Sequence, residues 1–173
     1  ELSAAFARVK EAGKPVIVHL AGEAMSISLN TYAMLASASS ISVEPGSELW
    51  LTGLYGEQVY LKSMLEKLGV KADWLHMGAY KSAGEMFTNS APSPEADKMM
   101  NWLFDSLYGG LVDAVAKGRG IDPAAVRTRI DKGPVVADEA LKEKLVDKVE
   151  FYDEFVAGLK KQFGPEVSIE EHY

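Results

Sequence analysis

Pro15-Val16-Ile17-Val18-His19-Leu20-Ala21 is the stretch on which the fold turns. A short unbroken apolar run, rich in β-branched residues and opened by proline, predicts a buried strand of a parallel sheet. Upstream, Leu2, Ala5, Phe6 and Val9 recur at helical spacing between Leu2 and Ala12, and Gly13 stands where a helix C-cap belongs. Downstream, Tyr32 to Ser39 reads as a small-residue helix and Ile41 to Val43 as a strand. Glu44-Pro45-Gly46-Ser47 then makes a turn into a further strand, Leu49 to Thr52. Tyr60, Leu61, Met64, Leu65 and Leu68 share one helical face that stops at Gly69, and Val70 to Met77 predicts the next strand. Strands alternating with helices over short connections indicate an α/β domain with a mostly parallel sheet.

Gly78-Ala79-Tyr80-Lys81-Ser82-Ala83-Gly84 leaves that last strand as a loop of small residues. Ser93-Pro94-Glu95 then combines an N-cap, a first-position proline and a first-turn acid. A long helix follows, with Met99, Leu103, Leu107, Leu111 and Val115 four apart, a stripe that reads as core. Gly109-Gly110 within it costs roughly 1 kcal/mol per glycine, which predicts close packing against another backbone. Gly118-Arg119-Gly120 reads as a bare helix stop, and Asp122-Pro123 caps a short helix. Ala137 to Lys144 predicts another helix, Leu145-Val146-Asp147 a closing edge strand, and Tyr152 to Phe163 a terminal helix stopped by Gly164-Pro165.

Composition excludes several function classes. Of 173 residues, 18 are Lys or Arg and 25 are Asp or Glu, a net charge of −7 that argues against nucleic-acid binding. The absence of cysteine removes thiolate catalysis, disulfides and Cys-based zinc sites. No apolar run reaches the eighteen or so residues of a membrane span, and the opening Glu1 to Ala7 lacks the basic start of a signal peptide. His19 and His76 fall in predicted strands and His172 in the tail, so they read as structural, with no metal-ligand spacing and no cofactor motif beside them. One segment stands apart: Lys81, flanked by small residues beyond a buried strand, lies where α/β sheets place reactive groups. From local composition alone a solvated strand-end lysine is the better reading, and spacing does not decide between the two.

From Gly13 to Gly164 an ordered set of segments resembles the signal peptide peptidase family of the protease IV type. Gly13-Lys14-Pro15-Val16 comes first, then Tyr32 with Leu35-Ala36-Ser37, then Leu54-Tyr55-Gly56 and Tyr60 to Val70. Gly78 to Ala83, Ser93-Pro94-Glu95-Ala96, Lys117-Gly118-Arg119-Gly120 and Lys144-Leu145-Val146-Asp147 follow in family order. The resemblance implies the Clp-protease/crotonase-like fold, a spiral of ββα units with a mostly parallel sheet. It also implies peptide-bond hydrolysis by a Ser–Lys dyad without cofactor or metal, and it carries the general-base role onto Lys81. The demand on such a base is steep, because a free lysine titrates near 10.4 and must come down by about 3 units to work at neutral pH. Ser82 stands next to it, able to orient the ammonium.

The serine of the dyad is not at its family position. Ser26-Ile27-Ser28-Leu29-Asn30-Thr31-Tyr32 has no Ser-Gly-Gly; Ser28 is offset and Leu29 takes the place of the nucleophile. Without glycine, close backbone approach to a substrate is lost. The pattern resembles the lysine-bearing N-terminal domain of the long, two-domain members, whose serine lies in a second domain and whose dyads are completed in a ring-shaped tetramer. On that reading residues 1–165 form one domain, lacking a first strand and oxyanion loop, and residues 166–173 begin a linker. The expected setting is the periplasmic side of the inner membrane of a bacterial cell envelope, anchored outside this chain, with signal peptides as substrates. The isolated chain is then inactive. A catalytically silent domain of the same fold, serving as oligomerisation or peptide-binding scaffold, is the alternative, with a crotonase-type acyl-CoA enzyme third.

Overall fold

The computed structural model describes residues 2–21 and 26–170. The chain divides into two compact units, Glu1–Gly53 with Leu111–Tyr173, and Leu54–Gly110. In the larger unit, helix α1 (Leu2–Glu11) leads through Gly13, at φ 75°, to strand β1 (Ile17–Leu20). Strand β2 (Ser26–Ser28) runs directly into α2 (Leu29–Leu35), and β3 (Ser40–Val43) and β4 (Glu48–Trp50) follow. After the second unit the chain continues through the end of α5 (Pro94–Arg119), α6 (Pro123–Asp131), β5 (Val135–Val136), α7 (Ala137–Lys142), β6 (Lys148–Val149) and α8 (Tyr152–Phe163).

Two three-stranded sheets result, ordered β1-β3-β6 and β2-β4-β5. The first is parallel throughout, with Ile17 opposite Ser40, Leu20 opposite Val43 and Val43 opposite Val149. In the second, β2 runs parallel to β4 and β5 antiparallel to it. Helices bridging parallel neighbours and a mostly parallel pairing are what the α/β reading demands. Tyr32, Ile41, Val43, Leu49, Val115 and Val135 are buried between them, each at most 1% exposed. Gly118 is where α5 comes closest: a Cβ there would lie 2.5 Å from the Ala36 carbonyl.

Several expectations are corrected. Val70 to Met77 forms no strand; no described segment pairs with it, and Leu75 and Met77 stand 95% and 92% exposed. Strand β1 is half-buried rather than buried, since β3 pairs with one of its edges and no described strand with the other. The closing strand begins three residues later than Leu145, because Leu145 and Val146 turn inward as core and the ladder to β3 starts past Asp147. Gly109 and Gly110 meet no neighbouring backbone, and Trp102, Leu103 and Leu107 are exposed, so the apolar stripe of α5 is core towards its C-terminal end, at Val112 and Val115. The helix expected from Tyr32 starts at Leu29, and β2 and β5 are strands the pattern did not reveal. In the smaller unit, α3 (Lys62–Lys67), a 3-10 turn (Ser82–Gly84), α4 (Glu85–Thr88) and the first turns of α5 form without any strand among the described residues.

Candidate active site

The Lys81 loop is fixed at both ends. Gly78, at φ 98°, adopts a left-handed conformation that a side chain resists, and the Lys81 amide donates to its carbonyl at 3.2 Å. Past Lys81, Gly84 is buried against the Trp74 ring, so closely that a Cβ there would run into it. The Leu61 amide donates to the Met86 carbonyl at 2.7 Å, tying α3 to α4. Glu85 takes the Ser93 hydroxyl at 2.6 Å and the Ser93 amide at 2.9 Å, while Ser93 Oγ caps α5 by accepting the Ala96 amide. The Ser93 hydrogen bonds hold the Glu85 carboxyl below its ordinary value.

Lys81 itself is exposed, as are Ala79, Tyr80 and Ala83 around it. The exposure agrees with the solvated lysine that local composition favoured; the strand expected before the loop is absent, and with residues 70–77 unpaired nothing in the unit closes over the ammonium as the resemblance's general-base role would require. No hydrogen bond joins it to Ser82, and it makes no ion pair among the described residues. The loop, tied down by these hydrogen bonds at its ends, presents an exposed amine with no partner among the described residues.

Ser28 has a structural task in the larger unit. It is the N-cap of α2, with extended backbone at φ −67° and ψ 158°, and its Oγ accepts the Thr31 amide at 3.3 Å and contacts Thr31 Oγ1 at 3.1 Å. Leu29 beside it is buried. One turn on, the buried Tyr32 hydroxyl donates to the Leu145 carbonyl at 2.5 Å. Burial pushes that phenol well above its usual value, with Arg119 pulling the other way.

Arg119, read from sequence as a bare helix stop, closes this corner. Its Nη1 and Nη2 donate to Asp147 Oδ2 at 3.0 Å and Oδ1 at 2.8 Å, and its Nε and Nη2 donate to the Lys144 carbonyl. Asp147 Oδ2 also accepts the Ile41 amide at 2.8 Å. Desolvation alone would raise the Asp147 carboxyl; the hydrogen bonds from Arg119 and Ile41 overcome it and hold it below the ordinary aspartate value. The sequence signal for this clamp was an arginine at the helix end with Asp147 following a buried Leu-Val pair.

His19 is packed in the larger unit, its Nδ1 2.8 Å from Ser42 Oγ and its ring stacked on Phe155 at 4.6 Å, but its buried Nε2 has no hydrogen-bond partner among the described residues. His76 lies in the unpaired segment rather than in a strand. His172 falls outside the described residues. No group of three His, Asp or Glu side chains converges on a metal position among the described residues.

The profile of peptidase family S49 matches residues 8–165. The chain belongs to peptidase family S49. Its α/β architecture is that family's Clp-protease/crotonase-like fold, and its relatives are of the protease IV type. It is 29% identical to Protease 4 of Salmonella typhi over 168 residues, covering 92% of this chain and 26% of that protein. Against Serine protease SPPA, chloroplastic, of Arabidopsis thaliana, identity is 27% over 158 residues, 91% of this chain and 23% of the relative. A Putative signal peptide peptidase SppA of Enterococcus faecium is 26% identical over 162 residues, 94% of this chain and 46% of that protein. The S49 domain described here thus spans from about a quarter to under half the length of these relatives. No helix among its described residues is long and apolar enough to cross a membrane.

Proposed function

We propose that this S49 domain supplies Lys81 as the general base of a Ser–Lys dyad that degrades cleaved signal peptides, the nucleophilic serine coming from another domain or subunit. The observation that carries the reading is the Gly78-Ala79-Tyr80-Lys81-Ser82-Ala83 loop: an S49 chain holds one exposed lysine on an anchored base, with its amine engaged by no other group among the described residues. A partner that brought a serine to within about 3 Å of the Lys81 Nζ would also exclude the water that keeps an ammonium charged. The neutral amine takes the serine proton as Oγ attacks the scissile carbonyl, then returns it to the departing amine. Ser28 does not fill the serine role, because its hydroxyl caps α2 and no glycine lies beside it.

The parent protein on this reading is the long, two-domain type, assembled as a tetramer on the periplasmic side of a bacterial inner membrane. Exposed Trp50, Tyr55, Phe87 and Trp102 supply apolar surface for such contacts. The same surface, with the serine position occupied by Leu29, favours the second reading, a silent scaffold of the same fold. A serine-reactive fluorophosphonate probe separates the possibilities. It should leave the 173-residue chain unlabelled and label the intact parent at a serine outside this chain. Stoichiometric labelling of Ser28 would overturn the shared dyad, and an unlabelled parent would leave the scaffold.

A further inference from the structure

Lys81 is held more firmly from the downstream side of its loop than from the upstream side. Upstream, residues 70–77 pair with no strand among the described residues, so the loop takes no register from a sheet. Downstream, Lys81 opens the 3-10 turn Ser82–Gly84, and the Glu85 amide closes that turn by donating to the Ser82 carbonyl. Glu85 is the first residue of α4, one short turn from the lysine. Both oxygens of its carboxylate are committed to a single residue. Oε1 accepts the Ser93 hydroxyl at 2.6 Å and Oε2 the Ser93 amide at 2.9 Å, the short distances of bonds to an ionised acceptor. Ser93 is in turn the cap of α5, its Oγ accepting the Ala96 amide at 3.2 Å. Thr88 Oγ1 donates back to the Gly84 carbonyl at 3.3 Å, on the turn itself. An unbroken series of bonds thus runs from the first turn of α5 through Ser93 and Glu85 to the turn that carries Lys81, all within the smaller unit.

We propose that Glu85 is a positioning residue for Lys81: by gripping Ser93 it sets where the Lys81 backbone stands, and with it the reach of the amine towards a serine. The inference rests on the reading of Lys81 as the general base and extends it to a residue that acts through the turn. Glu85 is unsuited to be the base itself. The Ser93 hydrogen bonds hold its carboxyl below the ordinary value, and a carboxylate weakened in this way is a poor acceptor for a hydroxyl proton. Nor is it a counter-ion to Lys81, since no ion pair joins the two side chains. What it controls is distance. A general base must come within about 3 Å of the atom whose proton it takes, and a misplacement of about 1 Å costs roughly a hundredfold in rate. The lysine stem absorbs part of such an error by changing rotamer, which brings the expected loss down to about tenfold to fiftyfold.

Steady-state turnover of a peptide substrate by the intact parent tests it, with Lys81→Arg measured alongside. Glu85→Ala should lower kcat about tenfold or more and leave KM within about twofold, with the same loss at every pH from about 6 to 9. Glu85→Gln keeps an acceptor for the Ser93 amide and offers its NH2 to Ser93 Oγ, so kcat should return to within about threefold of the parent. Ser93→Ala removes the other half of the clamp, and combined with Glu85→Ala it should cost no more than about threefold beyond Glu85→Ala alone. Glu66→Ala, at an exposed acid on α3, should leave kcat unchanged. Each kcat is referred to the fraction folded by far-UV circular dichroism. Should Glu85→Ala not fold, Ser93→Ala carries the test with a fall in kcat of about threefold or more. Parent-like kcat in Glu85→Ala while Lys81→Arg is inactive overturns the positioning role alone, whereas near-parent turnover by Lys81→Arg overturns the dyad reading beneath it. A rise in KM with kcat unchanged, an acid shift of the pH profile in Glu85→Ala, or no recovery in Glu85→Gln would also overturn the role.

Discussion

Replacing Asp147 by alanine removes, in one change, both carboxylate contacts of Arg119 and the acceptor of the Ile41 amide. What remains to the guanidinium is the Lys144 carbonyl, and its side chain is only 8% exposed. Stripping one partner from a buried ion pair costs roughly 3–5 kcal/mol. Asp147 is 38% exposed, so water already screens part of that interaction and the expected loss is lower, about 2–3 kcal/mol. At about 2–4 °C per kcal/mol for a chain of this size, Tm should fall by about 4–12 °C. The pH dependence sharpens the test. Asp147 is held below its ordinary value in the folded state, so its contribution is complete above the free aspartate value of about 3.9 and is lost as pH falls through the lower folded value. Urea unfolding followed by far-UV circular dichroism should therefore show a constant gap between parent and Asp147→Ala from about pH 7 to pH 5, narrowing towards pH 3. A gap under about 0.5 kcal/mol at neutral pH, or one that persists unchanged in acid, would refute the clamp.

Gly118→Ala should destabilise the larger unit by about 1–3 kcal/mol in urea melts, because the new methyl meets the Ala36 backbone at 2.5 Å and backbone has little room to yield. Ser28→Ala should cost about 1 kcal/mol through loss of the α2 cap and speed amide exchange in its first turn, with fluorophosphonate reactivity unchanged. Glu85 sits below its ordinary value because of Ser93, so its pinning of the Lys81 loop should be complete above about pH 4.3 and fade as pH falls further. The Ser93 amide resonance should titrate in that acid range and stop doing so in Glu85→Gln.

Local pattern made the larger unit legible. β-Branched runs at Ile17–Leu20 and Ser40–Val43 pair in parallel register, and the Asp122 side chain and Pro123 start α6 as their chemistry requires. Short strands escaped for the same reason that they are short: β2 and β5 have three and two residues, too few to show a period, and tertiary pairing alone defines them. Val70 to Met77 misled because apolar residues at strand spacing say nothing about whether a neighbouring strand exists to receive their hydrogen bonds. At the candidate site, family-ordered segments singled out Lys81, while Ser28, which the missing glycines set apart from the family's serine position, is the N-cap of α2. The exposure of Lys81 was what local composition favoured; what composition did not show is that the strand expected before it is missing.

The most direct test of the shared dyad is turnover of a peptide substrate by the intact parent carrying Lys81→Arg. Arginine keeps the positive charge but cannot give up its proton, so turnover should vanish between about pH 6 and pH 9 while fold and assembly persist. Lys71→Met and Lys98→Met, on exposed positions of the same unit, should stay within a few-fold of the parent. Near-parent turnover by Lys81→Arg across that pH range would contradict the assignment of Lys81 as the base.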